Sequence, residues 1–255
     1  MKMLAALLLL VTINAQAVEA RYFRAWQGFK KADLAQRAFM EALPSFMQET
    51  VDLYHGAGIL SNYLVIIPPA NKPSFVPDEF ALVALDSREA YQGVRATPAG
   101  QTYSARHWDV FNRENSASAD PMVDFSTALP ETLVNNNSYD VIGTPIDWSQ
   151  GFTTVFIGVR KNNVDRAAFL KGLSSHLALV KNTFVPRGLN GYIVIANQDY
   201  EVAFMNWDSK QAMQNATSAT INADGARLMN TLMFQPAAKF KAHEAVKYNK
   251  GYRGL

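Results

Sequence analysis

"LDSREAYQ", residues 85–92, and "WDSKQAMQ", residues 207–214, are nearly the same eight letters written twice in one chain. Each closes an apolar, strand-like run, "FALVAL" (80–85) in the first instance and "VAFMNW" (202–207) in the second. In each, an Asp opens a helix-forming stretch, with Glu89 or Gln211 three residues later. That spacing reads as an N-cap whose carboxylate accepts from a free backbone N–H. Catalytic carboxylates at Asp86 and Asp208 are the alternative reading. Either way a strand-to-helix junction is used twice, at an offset of 122 residues.

The likeness continues toward the N-terminus. "NYLVII" (62–67) lies over "GYIVIA" (191–196), with Tyr63 on Tyr192. Earlier still, "YFRAWQGFKK" (22–31) lies over "FTTVFIGVRK" (152–161), with Gly28 on Gly158 and Lys31 on Lys161. Helical stripes follow both. Phe39, Leu43, Phe46, Met47 and Tyr54 recur with a helical period, as do Phe169, Leu173, Leu177, Val180 and Phe184. Asp33 with Gln36 predicts a capping box for the first of these helices. Gly56 and Gly58, or Gly188, are expected to end them by supplying positive φ. Pro44 is expected to kink or split the first helix, because it removes a ladder donor. The loop "PPANKPSFVPDE" (68–79) holds most of the first copy's extra residues.

Beyond the junctions, the second helical regions are expected to break near Thr97-Pro98 and near Asn222 to Gly225. His107 then falls on Met229. Fourth strands are predicted at 122–129 and 238–246. Each copy thus reads strand, helix, strand, strand, helix, strand, the split-βαβ or ferredoxin-like order. Its four-stranded antiparallel sheet has helices on one face only, and the bare face needs cover. Two copies in one chain supply it, sheet against sheet. The predicted fold is α+β, two tandem ferredoxin-like repeats packed as an intramolecular barrel. The expected segments are 1–17 signal peptide, 18–129 first repeat, 130–150 connector and 151–255 second repeat.

On these residues the chain resembles the dimeric α+β-barrel superfamily. That group includes antibiotic-biosynthesis-type monooxygenases, haem-degrading monooxygenases and two-copy chlorite-dismutase-like haem proteins. The resemblance covers residues 21–250, mainly as element order. "NWDSKQAM" (206–213) is similar to the third-strand exit of the haem-degrading members, where Trp-x-Ser precedes the second helix. The resemblance implies Trp207 as the ring that meets the ligand. Those members also use an Asn on the first strand and a His on the second helix. Here the second copy offers Thr154 on the strand and no His within 210–233.

The chain has 255 residues, 49% hydrophobic and 18% charged, with a formal net charge of +2. That balance gives no electrostatic case for nucleic acid or an anionic membrane. Lys2, the apolar run Met3 to Ile13 and Ala15-Gln16-Ala17 read as a cleaved secretory signal, too short to span a bilayer. With no cysteine there is no disulfide and no thiolate nucleophile. A periplasmic or secreted location is expected, with no transmembrane segment in the mature chain.

Four histidines are available. His176 lies on the apolar stripe between Leu173 and Val180 and points inward. It is either an iron ligand or a core histidine bonded to a backbone carbonyl. His107, between Arg106 and Trp108, is either a site residue or a half-exposed histidine beside a packing indole. His55 ends a helix, where the dipole accounts for it, and His243 lies in a polar terminal stretch. No two histidines show metal-ligand spacing. Trp26, Tyr63, Tyr192 and Trp207 line a pocket or belong to the core. No nucleophile elbow, phosphate loop or zinc-protease motif is present. The sequence therefore predicts a binder of a small apolar or aromatic ligand, or of a partner, between helices and sheet, without a cofactor. The alternatives are a haem-binding oxidoreductase with His176 or His107 on the iron, and an antibiotic-biosynthesis-type monooxygenase acting without a cofactor.

Overall fold

The computed structural model describes residues 18–119, 129–237 and 239–240. The expected signal segment, the first repeat's predicted fourth strand up to residue 128, and His243 lie outside them. In chain order the elements are β1 (Tyr22–Gly28), α1 (Gln36–Gly56), β2 (Leu60–Ile66), β3 (Glu79–Leu85), α2 (Arg88–Ala96), α3 (Pro98–Val110) and β4 (Ala117–Ser118). There follow β5 (Asn137–Asp140), β6 (Phe152–Arg160), α4 (Arg166–Phe184), β7 (Leu189–Ala196), β8 (Tyr200–Trp207), α5 (Lys210–Asn215), α6 (Ala219–Leu228), β9 (Met229–Pro236) and β10 (Lys239–Phe240).

Two antiparallel five-stranded sheets result, ordered β10-β2-β3-β1-β4 and β5-β7-β8-β6-β9. The fifth strand of each sheet was not expected. It arises by exchange. β5, in the connector after the first repeat, pairs with β7, and β10, in the tail of the second repeat, pairs with β2. The connector therefore closes the far edge of the second sheet and the second repeat's tail that of the first, which covers an open row of backbone donors and acceptors.

Alternation along each strand sends neighbouring side chains to opposite faces. On the inner face, Phe23, Ala25, Leu64, Ile66, Phe80 and Leu82 of the first sheet share one core with Val155, Ile157, Ile193, Ile195, Val202 and Phe204 of the second. On the outer faces, Tyr22, Tyr63 and Val83 pack under α1–α3, while Tyr192, Met205 and Trp207 pack under α4–α6. Both faces are covered, so β2, β3 and β8 are buried at every position. A polar link crosses between the sheets: the Tyr200 hydroxyl donates to Gln27 Oε1 at 2.5 Å.

The duplication is reproduced bond for bond. The N–H of Lys31 donates to the Val110 carbonyl, and that of Lys161 to the Leu228 carbonyl, each at 3.1 Å. Gly28 and Gly158 are glycines for one shared reason. A Cβ at Gly28 would stand 2.5 Å from the Phe111 ring, and one at Gly158 would stand 2.1 Å from Met229 Sδ. Phe111 and Met229 each directly follow the repeat's last helix. In both copies that residue lies across the end of the first strand.

Several sequence expectations need correction. The helix caps at the twin junctions are Ser87 and Ser209, whose hydroxyls accept from Ala90 N at 3.1 Å and Ala212 N at 3.0 Å. Asp86 and Asp208 are still held by the strand, since their N–H groups donate to Ile59 and Gly188 carbonyls. The cap consequently moves one residue on. The predicted Asp33–Gln36 box is also absent. α1 begins after Ala35 with no side-chain cap, whereas Asp165 caps α4 through Ala168 N at 2.8 Å. Pro44 lies inside α1 without splitting it. Gly58 and Gly188 take positive φ, at 70° and 94°, and Gly56 does not.

The first break falls at Thr97, as read. The second falls at Ala216 to Ser218, and α6 runs through residues 222–225. Tertiary contacts outweigh the turn-forming letters there: Asp224 pairs with Arg227 and His176, and Gly225 admits the His176 ring. The fourth strand of the second sheet is β9, not 238–246. Leu228 and Leu232 mimic a helical spacing, but Met229 is extended (φ −144°, ψ 161°) so that it can cross Gly158. These shifts also reassign His107. It stands three residues before the end of α3, and its counterpart three before the end of α6 is Gly225, not Met229.

Candidate functional site

Each repeat has a cavity, open to solvent at one side, between its helices and the outer face of its sheet. The first holds about 310 Å³ and the second about 830 Å³. They occupy equivalent places, because their walls are counterparts: Trp26 and Phe156, Phe46 and His176, Tyr63 and Tyr192, Val83 and Met205. The five residues singled out from sequence all line them, but not together. His176, Tyr192 and Trp207 share the second cavity; His107 and Trp26 share the first.

Each cavity thus contains one histidine, supplied from opposite sides. In the first repeat Phe46 of α1 faces His107 of α3, with ring centroids 4.6 Å apart. In the second, His176 of α4 faces Gly225 of α6, where an added Cβ would come within 3.2 Å of the ring. Two aromatic-sized groups therefore meet in one place and one ring plus a glycine in the other. That exchange contributes to the larger second cavity.

His176 Nδ1 lies 3.0 Å from Asp224 Oδ2, and Arg227 holds the other Asp224 oxygen at 2.8 Å. The expected backbone-carbonyl partner is replaced by a carboxylate. Burial lowers the His176 pKa, against the opposing pull of Asp224. Asp224 is itself held below its ordinary value: its bonds to Arg227 and His176 outweigh the upward push of desolvation. The ring is thus neutral at pH 7 with its proton on Nδ1, which leaves Nε2 as an acceptor or ligand atom. Across the cavity, Trp207 is 2% exposed and its indole N–H donates to Thr154 Oγ1 at 3.1 Å. Thr154 is therefore taken up in holding this indole.

His107 is set differently. Its Nδ1 donates to the Tyr103 carbonyl at 3.1 Å, and burial depresses its pKa to about 4. Rings of Trp26, Phe46 and Tyr103 surround it edge-on, with centroids 5.2, 4.6 and 4.7 Å away.

The residues that sequence reasoning missed are Glu79 and Glu201. They stand at the same offset of 122 as the twin junctions, at the start of the third strand in each copy. Both face the helices, opposite Gly28 and Gly158 respectively. Glu79 is 0% and Glu201 1% exposed. Neither oxygen of Glu79, and only one of Glu201, has a hydrogen-bond partner among the described residues. That partner is Tyr192, whose hydroxyl donates to Glu201. Desolvation raises both carboxyls to about 8, so both are neutral acids at pH 7. Glu201 lines the second cavity beside Tyr192. The signal was available in the letters: a glutamate kept at one register in both copies, opening an otherwise apolar strand.

No protein-family model matches the chain, and no curated protein matches it in sequence. Solved structures do match. A protein of Fusobacterium nucleatum subsp. nucleatum ATCC 25586, provisionally assigned as a monooxygenase, is 12% identical with a TM-score of 0.44, covering 87% of this chain and 98% of that one. An anthrone oxidase-like protein is 11% identical with a TM-score of 0.39, covering 91% and 97%. A haem-binding protein from Thermus thermophilus is 10% identical with a TM-score of 0.40, covering 88% and 93%. By its own topology, two ferredoxin-like repeats joined sheet to sheet, the chain has the fold of a dimeric α+β barrel built from a single polypeptide.

Proposed function

We propose that the protein binds a small, largely apolar aromatic molecule in the second repeat's cavity. The observation that carries this reading is the convergence of four groups on one apolar space of about 830 Å³: neutral His176 on Asp224, the Glu201–Tyr192 pair, and Trp207. Few polar groups in a mostly apolar concavity are what orients a small ligand. Ring faces supply area, and Glu201 or His176 Nε2 supplies one directional bond. The secretory-signal reading of residues 1–17 supports a location outside the cytoplasm for this binder. Sequencing the N-terminus of exported protein checks that placement, with Val18 as the expected first residue.

A thermal-shift and native mass spectrometry screen with one- to three-ring aromatics tests the binding itself. Bound members of the panel are expected to raise the melting temperature. The shift is expected to shrink in Glu201→Ala and in His176→Ala. A panel in which nothing binds would end the proposal.

One observation favours haem as a second reading. A metal-bound histidine commonly donates its other N–H to a carboxylate, as His176 does to Asp224. The apolar lining and the volume also fit such a group. His176 Nε2 would hold the iron, with Trp207 in the lining of the same cavity. Bound there, haem would supply one-electron and oxygen chemistry. This chain's residues would fix the imidazole tautomer and exclude water. Haemin titration decides it: a Soret shift lost in His176→Ala supports haem, and no shift removes it.

A further inference from the structure

The first repeat's cavity is not a smaller copy of the second, because its charge is different. Arg24 and Arg95 both line it, together with three serines, and no carboxylate is among its lining residues. The Arg24 guanidinium lies 4.9 Å from the centroid of the Tyr91 ring, and that of Arg95 lies 6.0 Å from it. Arg24 also donates to the Tyr91 and Ser118 hydroxyls. Both cations therefore gather on one aromatic wall. At the register of Arg24 the second repeat has Thr154, and at that of Arg95 it has Thr217. This arginine pair belongs to the first repeat alone; the second cavity's lining cation is Lys161, which shares that lining with the carboxyl of Glu201. Trp26 and Trp108 also line the cavity, their rings 6.3 Å apart.

We propose that this cavity is a second, separate binding site, for a small aromatic anion such as a one- or two-ring carboxylate. The volume of about 310 Å³ sits at the low end of small-molecule pockets and limits the ligand to that size. Arginine forks match a carboxylate in shape and charge. The indoles and Tyr91 stack on its ring. His107 supports the assignment, since it is held neutral and its Nε2 can take one further hydrogen bond without adding a competing charge. The site is independent of the second cavity and of what that cavity binds.

The test is calorimetric titration of the full chain with 1-naphthoate and its neutral isostere 1-naphthamide. Naphthoate is expected to bind saturably and at least about tenfold more tightly than the amide, as a charge-assisted pair requires. The anion's affinity should fall about tenfold in Arg95→Gln, and should weaken as salt is raised. Arg24→Gln should act likewise. Arg24 also holds Tyr91 and Ser118, so if that variant fails to fold, half-buried Arg95 decides the matter. Equal affinities for acid and amide, anion binding unmoved in Arg95→Gln, or binding lost instead in His176→Ala would each overturn the proposal.

Discussion

At the scale of single residues, the pair Glu79 and Glu201 gives the molecule a pH signature. Each folded carboxyl titrates near 8, against 4.5 when exposed. As pH rises past 4.5 the unfolded chain releases these protons while the folded chain keeps them. The folded state thus binds more protons, and stability falls with pH until about 8. The slope is at most roughly 1.4 kcal/mol per pH unit per carboxyl. Other shifted groups act elsewhere. His107 and His176 titrate lower in the fold than the ordinary 6.5, so they cost stability only as pH falls below that value. Asp140 is complete by about 6. From pH 6.5 to 8 the two glutamates act alone among these groups. Urea midpoints are expected to fall across that window, and a Glu79→Gln/Glu201→Gln double variant should flatten the fall. An unchanged slope would show that the carboxyls are ionised in the fold. The two glutamates were legible as a repeated letter, but burial is not: a glutamate opening a strand looks solvent-facing until the helix layer is in place.

At the scale of elements, strands were more legible than helix ends. Runs such as "NYLVII" and "VAFMNW" are apolar on both faces, and the sheets are buried on both faces for that reason. Helix starts depend on a one-residue choice that the letters "DS" leave open. Ser87 and Ser209 take the cap because the preceding Asp is still engaged by the strand. Ser87→Ala and Ser209→Ala are each expected to cost about 1 kcal/mol, a typical lost N-cap. Asp86→Ala should stay within about 0.5 kcal/mol, as a surface change away from a cap does. Chemical denaturation of the three variants measures this. A larger loss for Asp86→Ala than for Ser87→Ala would return the cap to the aspartate. The α6–β9 boundary was illegible for another reason. Its position is set by Met229 lying on Gly158 and by His176 lying against Gly225, contacts between segments far apart in the chain. Because those contacts shift the register by four residues, the sequence paired His107 with Met229 and hid its true counterpart.

At the scale of the whole molecule, the two repeats cover each other's inner sheet faces. The second repeat comes nearer to independence. Its sheet draws all five strands, β5 to β9, from residues 137–236, while the first sheet takes β10 from the second repeat's tail, after β9. A fragment spanning 129–237 therefore keeps a complete sheet and its helix layer. What it loses is the opposing inner face, which leaves Val155, Ile157, Ile193, Ile195, Val202 and Phe204 without cover. A contiguous apolar face of that kind is not stable in water and finds a partner. The partner of nearest shape is a second copy of the same fragment, since the intact chain already joins two such sheets face to face. The fragment is expected to sediment as a dimer, with Phe204→Lys driving it to monomer and exposing dye-binding surface. In the full chain Phe204→Ala should cost roughly 3–5 kcal/mol, the range for a fully buried aromatic. A fragment that stays monomeric, folded and free of dye binding would mean that the sheet-to-sheet core is not what joins the repeats. The load would then fall on the exchanged strands β5 and β10, and a chain ending at residue 237 would be the next to compare.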